Sequence, residues 1–108
     1  MKKEVLFNGL VCRIIGKICV DSGSILIGDP LYYLHGGIEG LPKCIGNGWG
    51  EFEQRKPPKK HYFPLTFDSG EEGVGLYTRT YYGDGTYPVI GLFGKNEDRP
   101  QAIMIDFN

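Results

Sequence analysis

A chain of 108 residues has the usual length of one domain, so the sequence predicts a single domain over residues 1–108. With 41% hydrophobic and 23% charged residues, the chain is neither entirely disordered nor membrane-spanning. The net charge of −1 excludes a global positive field, and with it general binding to duplex nucleic acid or to an anionic membrane surface.

Short apolar runs bounded by Gly, Asn, Asp and Pro recur along the chain, and apolar residues do not repeat at helical spacing over three turns. The predicted strands are Glu4–Phe7, Leu10–Ile15, Lys17–Val20, Ser24–Ile27, Tyr62–Phe67, Val74–Tyr82, Thr86–Phe93 and Gln101–Phe107. Alternatively, the second and third form one strand with a bulge at Gly16. The pattern predicts an all-β fold, or a β-rich fold with one short helical turn, arranged as an antiparallel β-sandwich or open barrel of about seven or eight strands.

The sequence predicts a cytoplasmic protein whose cysteines are free thiols. Polar residues between Glu4 and Lys17 interrupt the apolar segment that a signal peptide requires. The three cysteines, Cys12, Cys19 and Cys44, lack the spacing of a zinc site or of a disulfide framework. We therefore expect them to be buried free thiols.

Asp29 and Pro30 follow the predicted strand that ends at Ile27. An aspartate before a proline is typical of an N-cap and the first residue of a helix, so we expect this pair to begin a short helical turn. The alternative role for Asp29 is that of a metal ligand or general acid at the end of the strand.

Between residues 36 and 60 the strand pattern is lost in a Gly- and Pro-rich stretch, which is predicted to be irregular. Long loops of this kind are often functional, so a ligand site is expected here. The candidate residues are an aromatic platform, a cationic cluster and a loop histidine: Trp49, Arg55, Lys56, Lys59, Lys60 and His35. They would suit a nucleotide or single-stranded nucleic acid. In the alternative interpretation, Trp49 covers one end of a β-sandwich and Pro57 and Pro58 form a stiff, solvated loop.

The C-terminal half predicts two hairpins. Residues 75–81 alternate between two faces, with Tyr77 and Tyr81 on the same one, and Asp84-Gly85 then supplies the positive φ angles of a tight turn. Pro88 has no N–H to donate. We therefore expect either that its strand lies at a sheet edge or that Pro88 itself lies outside the hydrogen-bonded ladder. The second hairpin turns through residues 95–98 and predicts antiparallel pairing of the last two strands.

The sequence contains no complete catalytic constellation. His35 and His61 lack the spacing of metal ligands, so neither a metal site nor a cofactor is predicted. The enzymatic alternative is a small hydrolase that uses Asp29, Asp84 and His35, with or without a divalent metal ion. It requires these side chains to meet in one pocket.

Three blocks of sequence and a closing strand carry a resemblance to a known family. The blocks are residues 20–23 (Val-Asp-Ser-Gly), 28–32 (Gly-Asp-Pro-Leu-Tyr) and 83–89 (Gly-Asp-Gly-Thr-Tyr-Pro-Val), and the strand lies near residues 99–107. In this order they resemble small uncharacterised proteins of bacteria and their phages and, in shorter form, the domain of unknown function DUF4241. The resemblance implies no catalytic residues, and a phage or mobile-element origin would favour a non-enzymatic accessory or counter-defence protein.

These observations favour a non-enzymatic β-rich protein that binds a small ligand or a partner protein. Sequestration of a nucleotide-like signalling molecule is a sharper form of this hypothesis. In a third alternative the role is structural, and either the edge near Pro88 or the face with Tyr77 and Tyr81 is buried in a homo-oligomer.

Overall fold

The structure is a computed structural model that describes residues 5–7, 9–34, 46 and 48–108. These residues contain seven strands and two short helices. In chain order they are β1 (Val5–Phe7), β2 (Leu10–Val20), β3 (Ser24–Gly28), α1 (Pro30–Tyr33), α2 (Trp49–Arg55), β4 (Tyr62–Thr66), β5 (Glu72–Arg79), β6 (Gly85–Phe93) and β7 (Pro100–Ile105). The predicted β-rich fold is confirmed.

Contacts between residues divide the chain into two compact units. Unit 1 comprises Met1–Gly23 and Thr80–Asn108, and unit 2 comprises Ser24–Arg79, so unit 2 is inserted in the sequence of unit 1. Each unit contains one antiparallel sheet, and in the described part of the chain neither sheet closes on itself. The single domain and the sandwich or barrel arrangement stay predictions.

The sheet of unit 1 has the strand order β1-β2-β6-β7. β2 is one long strand whose pairing with β6 shifts register between Ile14 and Gly16, which confirms the predicted bulge. β6 and β7 pair antiparallel, so the second predicted hairpin is also confirmed. Among the residues of this unit whose burial the structure describes, the buried hydrophobic side chains are Val20, Tyr87, Leu92 and Phe93.

The Gly-Asp-Gly segment does not form the predicted hairpin. β5 pairs with β3 and β4, whereas β6 pairs with β2 and β7, so this segment connects strands of two different sheets. The positive φ angles belong to Gly83 (81°) and Gly85 (156°), and Asp84 has none. The hydroxyls of Thr80 and Tyr87 both donate to the Gly83 carbonyl, Tyr87 at 2.7 Å, and these bonds hold the turn.

Pro88 lies in an interior strand, so the predicted sheet edge at this position is wrong. β6 lies between β2 and β7, and Pro88 is opposite Lys17 of β2. Its carbonyl accepts the Asp106 N–H at 3.2 Å, just beyond the end of β7. The nitrogen and carbonyl of a residue point to the same neighbour in an antiparallel ladder. The missing N–H of Pro88 therefore faces the end of the β7 ladder, where it interrupts no pairing with β2.

The sheet of unit 2 has the strand order β3-β5-β4. Its core consists of Phe52, Phe63, Leu65, Val74 and Tyr77, with Tyr32, Tyr33 and Phe67 packed against it. Tyr77 is 1% exposed whereas Tyr81 is 79% exposed. Because β5 ends at Arg79, the predicted common face of these two tyrosines is wrong.

The first helix begins where the sequence predicts a helical turn. Asp29 is its N-cap, and the carboxylate accepts the Leu31 N–H at 2.9 Å, while Pro30 is the first helical residue. Neither α1 nor α2 is long and apolar enough to cross a membrane, and they are the only helices among the described residues.

Tyr33, the last residue of α1, lies against a pair of glycines in the sheet of unit 2. Gly28 and Gly75 are directly opposite each other in the β3–β5 ladder, and a Cβ at either position would overlap the Tyr33 side chain. The Tyr33 hydroxyl donates to the Val74 carbonyl at 3.0 Å. The glycine pair thus leaves the space in which α1 is held against the sheet.

Candidate ligand-binding site

Helix α2 lies inside the stretch predicted to be irregular, so that prediction is wrong for this segment. Two ion pairs between residues three or four positions apart support the helix. The Arg55 guanidinium lies 3.5 Å from the Glu51 carboxylate, and the Lys56 ammonium lies 3.1 Å from the Glu53 carboxylate. Pro57 follows the C-cap residue and ends the helix. The Gly48 N-cap provides no side-chain hydrogen bond, so the helix depends largely on its packing.

Phe52 attaches α2 to the sheet of unit 2. Its side chain is 3% exposed, and its ring centroid lies 5.5 Å from that of Tyr77 and 6.3 Å from that of Phe63. The rings of Phe63 and Tyr77, which are opposite each other on β4 and β5, lie 4.8 Å apart. This aromatic cluster fixes the helix face that carries Trp49 and Lys56.

Trp49 is the aromatic platform of the site. It is 49% exposed, and its ring centroid lies 6.0 Å from that of Phe52. The Lys56 ammonium lies 5.4 Å from the centroid of the Trp49 ring, within the range of a cation–π contact. Two neighbours therefore hold the indole in place while about half of its surface stays open to a ligand.

Lys56 is a partly buried cation with several partners. Its Nζ donates to the Tyr77 hydroxyl at 3.1 Å, and 13% of its side chain is exposed. Desolvation by burial lowers the pKa of Lys56, but the hydrogen bonds to Tyr77 and Glu53 outweigh it, so the pKa is raised from 10.5. The contribution of this proton to stability is complete below pH 10.5 and is lost as the pH rises through the higher folded pKa.

The Tyr77 hydroxyl is held in a charged hydrogen-bond network inside unit 2. Desolvation by burial raises the pKa of Tyr77, but hydrogen bonds with Ser24 and Lys56, together with the positive charge of Lys56, lower it below 10.0. Because Tyr77 is 1% exposed, its hydroxyl serves to position Lys56 and is shielded from any ligand in solution.

Replacing Lys56 with methionine should raise the pKa of Tyr77, because the substitution removes a hydrogen bond and a positive charge but keeps the apolar stem. The ultraviolet absorbance of tyrosinate measures this titration, with Tyr77→Phe identifying the signal of Tyr77. Lys59→Met is the matched control, since Lys59 is exposed and should leave the titration unchanged. An unaltered titration in Lys56→Met would show that the Lys56–Tyr77 hydrogen bond does not form in solution.

Of the predicted binding residues, the structure brings Trp49 and Lys56 together. Arg55 is 46% exposed and pairs with Glu51 on α2. Lys59 and Lys60 are exposed and follow the helix by a few residues. The predicted His35 lies outside the described residues.

The site also contains three residues that the sequence did not predict for it: Phe52, Glu53 and Tyr77. The spacing of Trp49, Phe52 and Lys56 places all three on one side of a helix. This spacing is a sequence signal from which Phe52 could have been predicted. Tyr77 could not be found this way, because its part in the site depends on how α2 packs on β5.

The residues of the hydrolase hypothesis have other roles where the structure describes them. The Asp29 carboxylate is the N-cap of α1, and Asp84 is an exposed residue of the turn before β6. Gly85, the other predicted turn residue, is the first residue of β6. Within residues 5–7, 9–34, 46 and 48–108, no group of three or more His, Cys, Asp or Glu residues could hold a metal ion.

The cysteines are less buried than the sequence predicts. Cys12 is a half-buried free thiol and Cys19 an exposed one, so the prediction of burial is wrong for Cys19. The Cys19 Sγ lies 3.7 Å from the Thr86 Oγ1 across the β2–β6 ladder. Cys44 lies outside the described residues.

No family model matches the chain, and neither the curated proteins nor the solved structures gave a match. The resemblance to DUF4241 and to proteins of bacteria and their phages therefore stays a prediction.

Proposed function

We propose that the protein is a non-enzymatic binding module that holds a planar, anionic, nucleotide-like ligand against Trp49. The observation that carries this proposal is a half-exposed indole supported by Phe52 and by the Lys56 ammonium. A π-surface that is open on one side and fixed on the other is suited to stacking with a nucleobase, which contributes about 1–3 kcal/mol per base.

Exposed cations near the platform favour an anionic ligand. The Lys56 charge is offset by Glu53 and that of Arg55 by Glu51, which leaves Lys59 and Lys60 as the exposed cations that follow the helix. Lys59 is three residues beyond Lys56, so its Cα lies within about 11 Å of the Cα of Lys56. In this proposal Lys59 or Lys60 binds the phosphate of the stacked nucleotide.

A binding role is favoured over catalysis because Lys56, the described polar group that contacts the Trp49 ring, is already bonded to other residues. The Lys56 ammonium donates to Tyr77 and pairs with Glu53, and the Tyr77 hydroxyl is buried. In this arrangement neither group is placed to exchange a proton with a ligand on the open face of the indole. Binding without turnover would sequester the ligand, as a counter-defence protein directed at a signalling nucleotide would do.

Titration with mono-, di- and cyclic nucleotides should quench the intrinsic fluorescence in a saturable manner, because Trp49 is the only tryptophan of the chain. A bound nucleotide at 100 times its Kd should also stabilise the fold by about 2.7 kcal/mol, which a thermal-shift assay detects. Trp49→Ala should abolish the thermal shift. Tyr82→Ala, which removes an aromatic residue that is 65% exposed in unit 1, should preserve it.

Two results would overturn this proposal in different ways. If no nucleotide at millimolar concentration quenches Trp49 or shifts the melting temperature, the ligand class is wrong. If a nucleotide binds and chromatography then finds it converted to a product, the non-enzymatic assignment is wrong and the hydrolase alternative is favoured.

A further inference from the structure

Glu53 lies beside Trp49 on the side of α2 that faces away from the core of unit 2. Successive residues of a helix are about 100° apart, so Phe52 is about 60° to one side of Trp49 and Glu53 is about 40° to the other. Phe52 is 3% exposed, whereas the Glu53 side chain is 41% exposed. The helix therefore places an acidic group next to the indole on its solvent side.

The ion pair with Lys56 limits the distance between this carboxylate and the indole. Glu53 Oε1 lies 3.1 Å from Lys56 Nζ, and Lys56 Nζ lies 5.4 Å from the centroid of the Trp49 ring, so Oε1 lies at most about 8.5 Å from that centroid. A purine stacked about 3.5 Å from the indole, with a hydrogen bond of about 2.8 Å from its edge, requires an acceptor roughly 8 Å from the centroid. The two values are compatible with a hydrogen bond between Glu53 and a base stacked on Trp49.

A carboxylate in this position distinguishes between the nucleobases. It only accepts hydrogen bonds, and its two oxygens have about four acceptor sites, so the bond from Lys56 leaves others for a ligand. Guanine has two adjacent donors on its Watson–Crick edge, N1–H and the N2 amino group. Adenine and cytosine have one donor there beside a ring nitrogen that accepts, and uracil has one donor between two acceptors. A carboxylate that faces this edge therefore favours guanine, because the other bases oppose a lone pair to its oxygens.

We propose, on the basis of the nucleotide-binding function proposed above, that Glu53 makes the Trp49 site selective for guanine nucleotides. The Glu53 carboxylate accepts the N1–H and an N2–H of the guanine that stacks on the indole. Lys56 holds the carboxylate beside the ring before the ligand arrives, which reduces the side-chain entropy lost on binding.

GMP should bind about tenfold more tightly than AMP, because the two ligands share the sugar and the phosphate and differ only in the base. The expected ratio is at the lower end of the discrimination that two-point contacts with a base provide, since the Glu53 side chain is 41% exposed. IMP has N1–H but lacks the N2 amino group, so its affinity should lie between those of GMP and AMP. Isothermal titration calorimetry with the full chain measures the three dissociation constants.

Glu53→Gln is the variant that tests the contact. The amide oxygen can still accept from Lys56, but the amide NH₂ now donates toward the base, where it opposes guanine N1–H and suits adenine N1. We expect the ratio of the AMP and GMP dissociation constants to fall from about ten to about one or below. The matched control is Glu51→Gln, which removes a carboxylate of the same helix that lies about 200° from Trp49 and pairs with Arg55. It should leave the ratio unchanged.

The outcomes separate this proposal from the proposed function. If none of the three nucleotides binds, the nucleotide-binding function itself is wrong. If GMP, IMP and AMP bind with equal affinity, the stacking function stands and the selectivity for guanine is wrong. The role of Glu53 is also wrong if Glu53→Gln weakens GMP and AMP equally, because Glu53 would then only position Lys56, or if Glu51→Gln changes the ratio as much.

Discussion

Replacing Phe52 with alanine should lower the free energy of unfolding by about 3–4 kcal/mol, because it removes the ring that joins α2 to the sheet of unit 2. Phe52 is 3% exposed and contacts the rings of Phe63 and Tyr77, so its loss leaves a cavity between helix and strands. The helix has seven residues and no side-chain N-cap, and so it should detach from the sheet. Urea denaturation followed by Trp49 fluorescence measures both effects.

Two controls separate packing from helix propensity. Phe52→Leu keeps an apolar side chain and should cost less than half as much, while Gln54→Ala alters an exposed residue of the same helix and should change stability by less than about 0.5 kcal/mol. Because the Trp49 platform depends on the attached helix, Phe52→Ala should also lose nucleotide binding. A loss of less than 1 kcal/mol in Phe52→Ala would contradict the packing described here.

Gly75→Ala should be the second severe substitution, with an expected cost of about 2–3 kcal/mol. A Cβ at this position would overlap the Tyr33 hydroxyl and the Ile27 carbonyl oxygen. Both groups must move away from the new Cβ, or Gly75 itself must shift, and each of these movements disturbs the β3–β5 ladder or the contact between α1 and the sheet. The midpoint of urea denaturation, with circular dichroism as the signal, measures the loss.

Gly50→Ala is the matched control for this prediction. Gly50 lies in α2 with open space where a Cβ would be, so alanine there should stabilise the helix by about 0.5–1 kcal/mol. In a Tyr33→Ala background, Gly75→Ala should lower the free energy of unfolding by less than it does in the wild-type chain, because the ring that the new Cβ meets is then absent. Equal costs in the two backgrounds would show that Tyr33 does not lie against Gly75.

The sequence predicts most of the strands but not the partner of each one. Apolar runs and turn residues are local, and they located β2, β6 and β7 to within a few residues. The Asp84-Gly85 pair is a strong local turn signal, yet β5 and β6 belong to different sheets. The turn is held by hydroxyls of Thr80 and Tyr87 that converge on one carbonyl, a contact that no local pattern reveals.

For a similar reason, the sequence predicted only some of the residues of the candidate site. A lone tryptophan near a cationic cluster pointed to Trp49 and Lys56, which the structure brings together. Alternation placed Tyr77 on a surface with Tyr81, but burial of β5 between two strands and beneath α2 makes Tyr77 a core residue. Helix α2 is too short for a helical repeat of apolar residues to be recognised in the sequence. It is stabilised by the tertiary contacts of Phe52.

The insertion of unit 2 has a consequence for the order in which the chain folds. Ser24 and Arg79, its first and last residues, are opposite each other in the β3–β5 ladder, so a folded unit 2 holds its two ends about 5 Å apart. Before unit 2 folds, pairing of Val20 with Gly85 must close a loop of about 60 residues; afterwards, unit 2 acts as a short turn of about 10 residues.

The difference in loop length corresponds to about 1.5–2 kcal/mol of chain entropy, and it favours a pathway in which unit 2 forms first. Synthesis from the N-terminus runs in the same order, because Arg79 leaves the ribosome before any residue of β6. The central β2–β6 ladder can then close from Val20 and Gly85 outward, as a hairpin does from its turn.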